Sequence, residues 1–197
     1  NYLSKQNISN FILLSSISIY GNSKKNINEK NKLQPINTYA KNCLNTEKIC
    51  KKILLKHKIN LTILRIANVF GYPKNNLGLI EKLLLNNYNN NSFKFSNENL
   101  TRSYIYIDDL VQLINKIIQK KFKFEIFNIC NTNYIFSFLK LVKILQNEKL
   151  INYKVKYNNK KNIIYNSICD SAKIKRYYQF KNNFLMDVKH ILKNIKN

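Results

Sequence analysis

With 197 residues and 45% hydrophobic side chains, the chain has enough apolar material for one packed domain or slightly more, which excludes wholesale disorder. No stretch approaches the ~18 consecutive apolar residues of a membrane span, and no charged–apolar–small leader opens the sequence, so a cytoplasmic location is expected. The net charge of +24 invites a nucleic-acid partner, but the lysines that carry it are scattered in short runs. The same chain is crowded with Asn, Ile, Tyr and Phe and holds only 3 Gly and 2 Pro, so A/T-rich codons account for the lysines and argue against nucleic acid.

In chain order, Asn1 to Ser9 reads as the end of a helix. The first residue is Asn rather than Met, which suggests part of something longer. Phe11 to Leu14 is an unbroken apolar run, expected as a strand buried on both faces, and it ends in Ser15 and Ser16. A polar loop runs to Pro35. The long helix "INTYAKNCLNTEKICKKILLKHK" follows, with Pro35 and Thr38 suited to its entry and Tyr39, Cys43, Cys50, Ile53 and Leu54 on or near one face.

"LTILRIANVFG" reads as a second buried strand passing into a loop at Asn68 to Gly71. A helix over Leu77 to Leu85 and a short strand over Phe93 to Phe95 come next. "TRSYIYIDD" leads from a strand into a helix opened by Asp108 or Asp109, whose apolar stripe is Leu110, Val111, Ile114, Ile117 and Ile118. "FEIFNIC" is a strand, "FSFLKLVKILQNE" a helix, Tyr153 to Tyr157 a strand, and a helical region begins at Ser171. Strands alternating with helices predict an α/β fold with a parallel, doubly wound sheet, grading into a smaller mixed C-terminal part.

The four cysteines form no C-x-x-C pair and the two histidines stand apart from other ligands, so no metal site is expected and free thiols are the simpler account. Ser15 and Ser16 lie at the carboxyl end of a strand, where open α/β sheets bind ligands. Taken alone, such a pair also suits plain loop serines bonding local backbone.

The ordered set "SSISIYG", "TYAKNC", "RIANVFG", "TRSYIYIDD" and "FNIC" resembles the extended short-chain dehydrogenase/reductase family, the NAD-dependent nucleotide-sugar epimerases and dehydratases. The resemblance continues to the tail "NSICDSAKIKRYYQF". It implies that residues 1–72 are the C-terminal part of a Rossmann-like domain and that 73–197 mainly bind substrate, with some elements returning to the sheet. It implies that Ser16 hydrogen-bonds the sugar oxygen, that Tyr39 is the catalytic acid/base beside the cofactor, and that Asn68 and Arg102 contact the diphosphate of a nucleoside-diphosphate-sugar. Arg102 also suits that role on its own chemistry, because a planar guanidinium meets phosphate oxygens bidentately.

Two departures stand against full activity. The family pairs its tyrosine with a lysine four residues on, and here that position is Cys43. Lys41 lies on another side of the helix and cannot substitute. The family also opens with a glycine-rich phosphate loop for NAD, and this sequence has only Gly21, Gly71 and Gly78, far apart. At about 30 residues per βαβ unit, something on the order of 100 residues of the family fold has no counterpart here.

The sequence therefore reads as a truncated or degenerate nucleotide-sugar epimerase/dehydratase, with NAD bound in the parent family but not by this chain alone. The alternative is a non-catalytic basic protein that binds nucleotide-sugars or other polyanions, or a subunit complementing a separate NAD-binding half. A homodimer is also open.

Overall fold

The computed structural model describes residues 8–23, 26–72, 77–86, 93–95, 100–157, 167–181 and 183–195. Strand β1 (Asn10–Ser16) is followed by a 3-10 turn, Ile17–Tyr20, and a loop leads to α1 (Thr38–Lys56). Then come β2 (Asn60–Ile66), β3 (Asn68–Phe70), α2 (Leu79–Asn86), β4 (Phe93–Phe95), β5 (Thr101–Tyr106) and α3 (Ile107–Ile118). The chain continues through β6 (Phe124–Ile129), β7 (Asn131–Ser137), α4 (Phe138–Asn147) and β8 (Val155–Tyr157) to α5 (Phe184–Ile195).

The principal sheet is parallel, in the order β1-β2-β6. Its middle strand carries the apolar run Leu61, Ile63 and Leu64, buried as a doubly covered parallel strand requires. A second sheet has the order β3-β5-β7, with β3 parallel and β7 antiparallel to β5; β4 and β8 pair separately. The expected α/β class and parallel sheet are thus what the chain forms, with the mixed sheet following in the C-terminal direction.

Several elements depart from the sequence expectation for identifiable reasons. β1 is partly exposed rather than buried on both faces, and Leu14 is 56% exposed, because among the described residues only β2 pairs with it. Asn68 to Phe70, expected as a loop, is β3: after Ile66 the chain leaves one sheet and joins the next beside Tyr104 to Tyr106. β7 was not anticipated, although Tyr134 and Phe136 alternate inward along it; Phe136 and Ser137 belong to this strand, and Ser137 caps α4 by accepting from Lys140 N–H.

The inward ridge of α1 is Ala40, Glu47 and Leu54, spaced by seven residues, so of the expected face only Leu54 is fully buried. Its N-cap is Asn37, whose side chain accepts from Ala40 N–H at 2.8 Å, rather than Thr38. α3 starts at Ile107, one residue before the expected Asp108, and both aspartates sit in its first turn. Of its expected stripe, Leu110 and Ile117 are buried with Leu113, whereas Val111 and Ile118 are 48% and 57% exposed. The strand at Tyr153 begins at Val155, and the C-terminal helical region resolves into a short turn at Ile174–Arg176 and α5. The helix expected over Asn1 to Ser9 lies almost wholly outside the described residues, and Ile8 and Ser9 are not helical.

Burial predicts a sharp contrast within one sheet. Leu64→Ala, in the middle strand, is expected to cost about 2–5 kcal/mol in urea denaturation, whereas Leu14→Ala, at the uncovered edge, is expected to stay within about 0.5 kcal/mol. A large loss at Leu14 would show that this edge is covered in solution.

Candidate active site

In the principal sheet Ser16, Ile66 and Ile129 align in register at the carboxyl ends of the three parallel strands. A cavity of about 600 Å³ opens there, lined by Ser15, Ser16, Ser18, Tyr39, Asn68 and Arg102 among others. All four side chains singled out as substrate-facing or catalytic therefore line one cavity, although they come from β1, α1, β3 and β5.

Ser16 is in extended conformation and its Oγ accepts from Ser18 N–H at 3.2 Å, opening the 3-10 turn. The turn closes at Gly21, whose φ of +75° and close approach to Gln34 O (a Cβ would lie 2.2 Å away) exclude any other residue without strain. The N-terminal turn of α1 brings Asn37 and Tyr39 to the cavity wall.

Tyr39 is 62% exposed as a whole. Partial burial nevertheless pushes its pKa above the ordinary tyrosine value; the Ser16 hydroxyl pulls it back and the Cys43 thiol pushes it further up. No lysine or arginine among the described residues contributes to this balance. At neutral pH the group is therefore a phenol, able to donate a hydrogen bond and poorly suited to take a proton.

Arg102 is held by Asn68: its Nη1 donates to Asn68 Oδ1 at 3.2 Å, while Asn68 Nδ2 donates to the Ser103 carbonyl at 2.9 Å. The Arg102 Nε–H is buried and has no partner among the described residues. A buried donor left without an acceptor is costly; Arg102 as a residue lines the cavity, where its guanidinium is the charge available to an anion. Asn68 thus acts here as the support of Arg102.

Sequence reasoning missed a second layer beneath the cavity. Glu47 of α1 is buried against Arg65 of β2, with Nη2 to Oε2 at 2.8 Å and Nε to Oε1 at 3.1 Å, and it also accepts from the Ser15 hydroxyl at 2.6 Å. The signal was present: Glu47 is the single acidic residue of that helix, and Arg65 is one of only three arginines in a lysine-rich chain.

The three glycines provide no cradle for a dinucleotide pyrophosphate. Gly21 faces Gln34, Gly71 packs onto Ile107, and Gly78 lies against Glu81, so each accommodates the chain's own atoms. The described residues supply a polar cavity at the strand ends, and their glycines do not fit the pyrophosphate of NAD.

In open α/β sheets ligands bind beyond the carboxyl ends of the strands, and the cavity lies at that place. The NAD dependent epimerase/dehydratase family matches residues 1–130. The chain is 31% identical over 142 residues to the ADP-L-glycero-D-manno-heptose-6-epimerase of Brachyspira hyodysenteriae, a stretch covering 67% of this chain and 44% of that protein. It is 30% identical over 142 residues to the dTDP-D-glucose 4,6-dehydratase of Bos taurus, covering 70% of this chain and 39% of that protein. In fold it is similar to the UDP-glucose 4-epimerase of Thermotoga maritima, whose crystal structure contains UDP-glucose, with a TM-score of 0.87 over 98% of this chain and 65% of that one at 22% identity. The chain belongs to the NAD-dependent epimerase/dehydratase family, and the stretches it matches amount to less than half of these two relatives' length.

Because Tyr39 has no cationic neighbour among the described residues, Cys43→Lys is expected to lower its pKa by about 1 unit. The check is the titration of the Tyr39 ring carbon by NMR, assigned with Tyr39→Phe. No downward shift would place the side chain at position 43 away from the phenol oxygen.

Proposed function

We propose that the chain is the substrate-binding side of a nucleotide-sugar epimerase or dehydratase and that its cavity receives a nucleoside-diphosphate-sugar. The diphosphate meets Arg102, and the placement of this guanidinium on the cavity with Ser16, Tyr39 and Asn68 is the observation that supports the reading. Asn68 fixes the guanidinium, and the sugar lies toward Ser16 and Tyr39 on the opposite wall. Ser16 and Tyr39 then hydrogen-bond a sugar oxygen, and Tyr39 is the group through which a hydroxyl proton leaves and returns. NAD, when bound by a complete member of this family, supplies the hydride acceptor. This chain contributes the proton-handling and diphosphate-binding side chains.

The Cys43 substitution favours a second reading, in which the chain binds nucleotide-sugars without turning them over, alone, as a homodimer or beside a chain that provides an NAD-binding half. The phenol of Tyr39, with its raised pKa, is a competent hydrogen-bond donor to a bound sugar even where it is a poor base.

Calorimetric titration with UDP-glucose and dTDP-glucose tests the cavity. Saturable binding is expected, and Arg102→Ala is expected to weaken it roughly 10- to 100-fold, the equivalent of a hydrogen-bonded charge contact of about 1.5–3 kcal/mol. Binding that is indifferent to the nucleotide and falls steeply with salt would instead identify a diffuse polyanion surface. NAD alone is expected to show no saturable micromolar binding, because the pyrophosphate has no glycine loop and helix N-terminus to receive it.

Turnover is tested by joining the glycine-loop half of an active relative to this chain. Cys43→Lys is expected to raise the rate at neutral pH, by up to roughly 10²-fold. A lower phenol pKa leaves more phenolate at a given pH, so the rate should reach its plateau at lower pH in the lysine variant. An unchanged profile would remove Tyr39 from the role of base.

A further inference from the structure

Ser15, Arg65 and Asn128 stand opposite one another in register across β1, β2 and β6, one residue below the strand ends that form the cavity rim. They make a polar row across the sheet. Glu47 reaches onto this row from α1 and is held by Ser15 and by the Nε–Nη2 edge of the Arg65 guanidinium. Arg65 Nη1 donates to the Tyr20 hydroxyl at 2.7 Å, and Tyr20 donates in turn to Asn128 Oδ1 at 2.8 Å. Asn128 completes the row by donating its side-chain N–H to the Ile27 carbonyl at 3.1 Å and its backbone N–H to Glu29 at 2.7 Å.

The network ties together every element that presents a side chain to the sugar-facing wall. Ser15 precedes Ser16; Glu47 lies on the same helix as Tyr39; Tyr20 ends the turn that Ser16 opens. Buried ion pairs of this kind add little net stability, and an apolar pair of similar volume often serves as well or better. What an ion pair adds is direction: a bidentate guanidinium–carboxylate contact fixes helix α1 against β2 in rotation and in height.

We propose that Glu47 is a positioning residue, which through Arg65 and Ser15 sets the approach of the Tyr39 hydroxyl to the Ser16 hydroxyl. This rests on the reading of Ser16 and Tyr39 as the sugar-facing pair. The Ser16 hydroxyl lowers the Tyr39 pKa, so the strength of their coupling is measurable without any ligand.

The experiment follows the Tyr39 ring carbon by NMR in tyrosine-labelled full-length chain and records how far Ser16→Ala raises the Tyr39 titration midpoint. The comparison is made in three backgrounds: unmodified, Glu47→Gln, and Glu47→Met with Arg65→Met. Glu47→Gln is expected to cut the Ser16 effect by half or more. The double methionine variant is expected to recover the melting temperature while the Ser16 effect stays lost, which separates position from stability and keeps the test valid if Glu47→Gln folds poorly. A Ser16 effect of full size in Glu47→Gln, or in the thermally restored double variant, would overturn the proposal. No Ser16 effect in the unmodified chain would overturn the Ser16–Tyr39 pairing as well, whereas the loss of sugar-nucleotide binding on Arg102→Ala is independent of that outcome.

Discussion

The contact on which the candidate site depends is the Arg65–Glu47 ion pair, with side-chain exposures of 4% and 5%. Burial by itself works to lower the pKa of Arg65, and the hydrogen bonds and charges of Glu47 and Tyr20 more than reverse it, so the guanidinium stays charged. Burial likewise raises the Tyr20 phenol despite the pull of Arg65, which keeps it protonated and able to donate onward to Asn128. Arg65 and Tyr20 therefore each keep one protonation state within the row of bonds. Removing a single member of such a pair strands the other charge, at about 3–5 kcal/mol. The helix that bears Tyr39 thus has one seat on the sheet that bears Ser16.

A second constraint is the incomplete use of apolar surface around β1. A parallel strand with apolar side chains on both faces is built for a sheet interior. Here β2 covers one edge, and Leu14 stands exposed between two hollows, one beside Tyr39 and Cys43 and one beside Ile114 and Ile118. α3 tells the same story: its apolar stripe is wider than the core it meets, so Leu113 and Ile117 are fully buried while Val111 and Ile118 are not. Surface of this kind is an aggregation hazard when left open. It suits the proposed reading in which the catalytic unit is larger than the residues described, because one α/β unit laid along β1 would fill both hollows at once and bring its strand ends to the cavity rim.

How much of this was legible in the sequence follows from which signals are local. The alternation of strands and helices was, because apolar runs and periodic stripes are read over a few residues. Ser16, Tyr39, Asn68 and Arg102 could be picked out because they sit inside ordered motifs, and the fold brings them to one cavity. The passage of the chain from β2 into β3 could not be read, since "RIANVFG" is continuous in character while its backbone changes partners at Ala67. The buried face of α1 was misplaced because apolar periodicity weights Cys50 and Ile53 and ignores Glu47, whose burial exists only through Arg65, 18 residues away. Arginine is rare in this chain where lysine is abundant, and that signal would have pointed to Arg65.

The chemistry left at Tyr39 follows from where charge is absent. In the cavity that Arg102 lines, held by Asn68, Ser16 alone among the described residues stabilises the ionised form of the phenol, and the Cys43 thiol opposes it. In the proposed reading, binding and proton transfer are separable: the diphosphate meets Arg102 of β5 and Asn68 of β3, while the proton is handled by Tyr39 of α1, which has no cationic neighbour among the described residues. A sequence that loses the lysine keeps the α1 seat, because Glu47 and Arg65, not position 43, hold the helix. On that reading Cys43 leaves the cavity undisturbed, because the contacts that seat α1 are not the ones that set the acidity of the Tyr39 phenol.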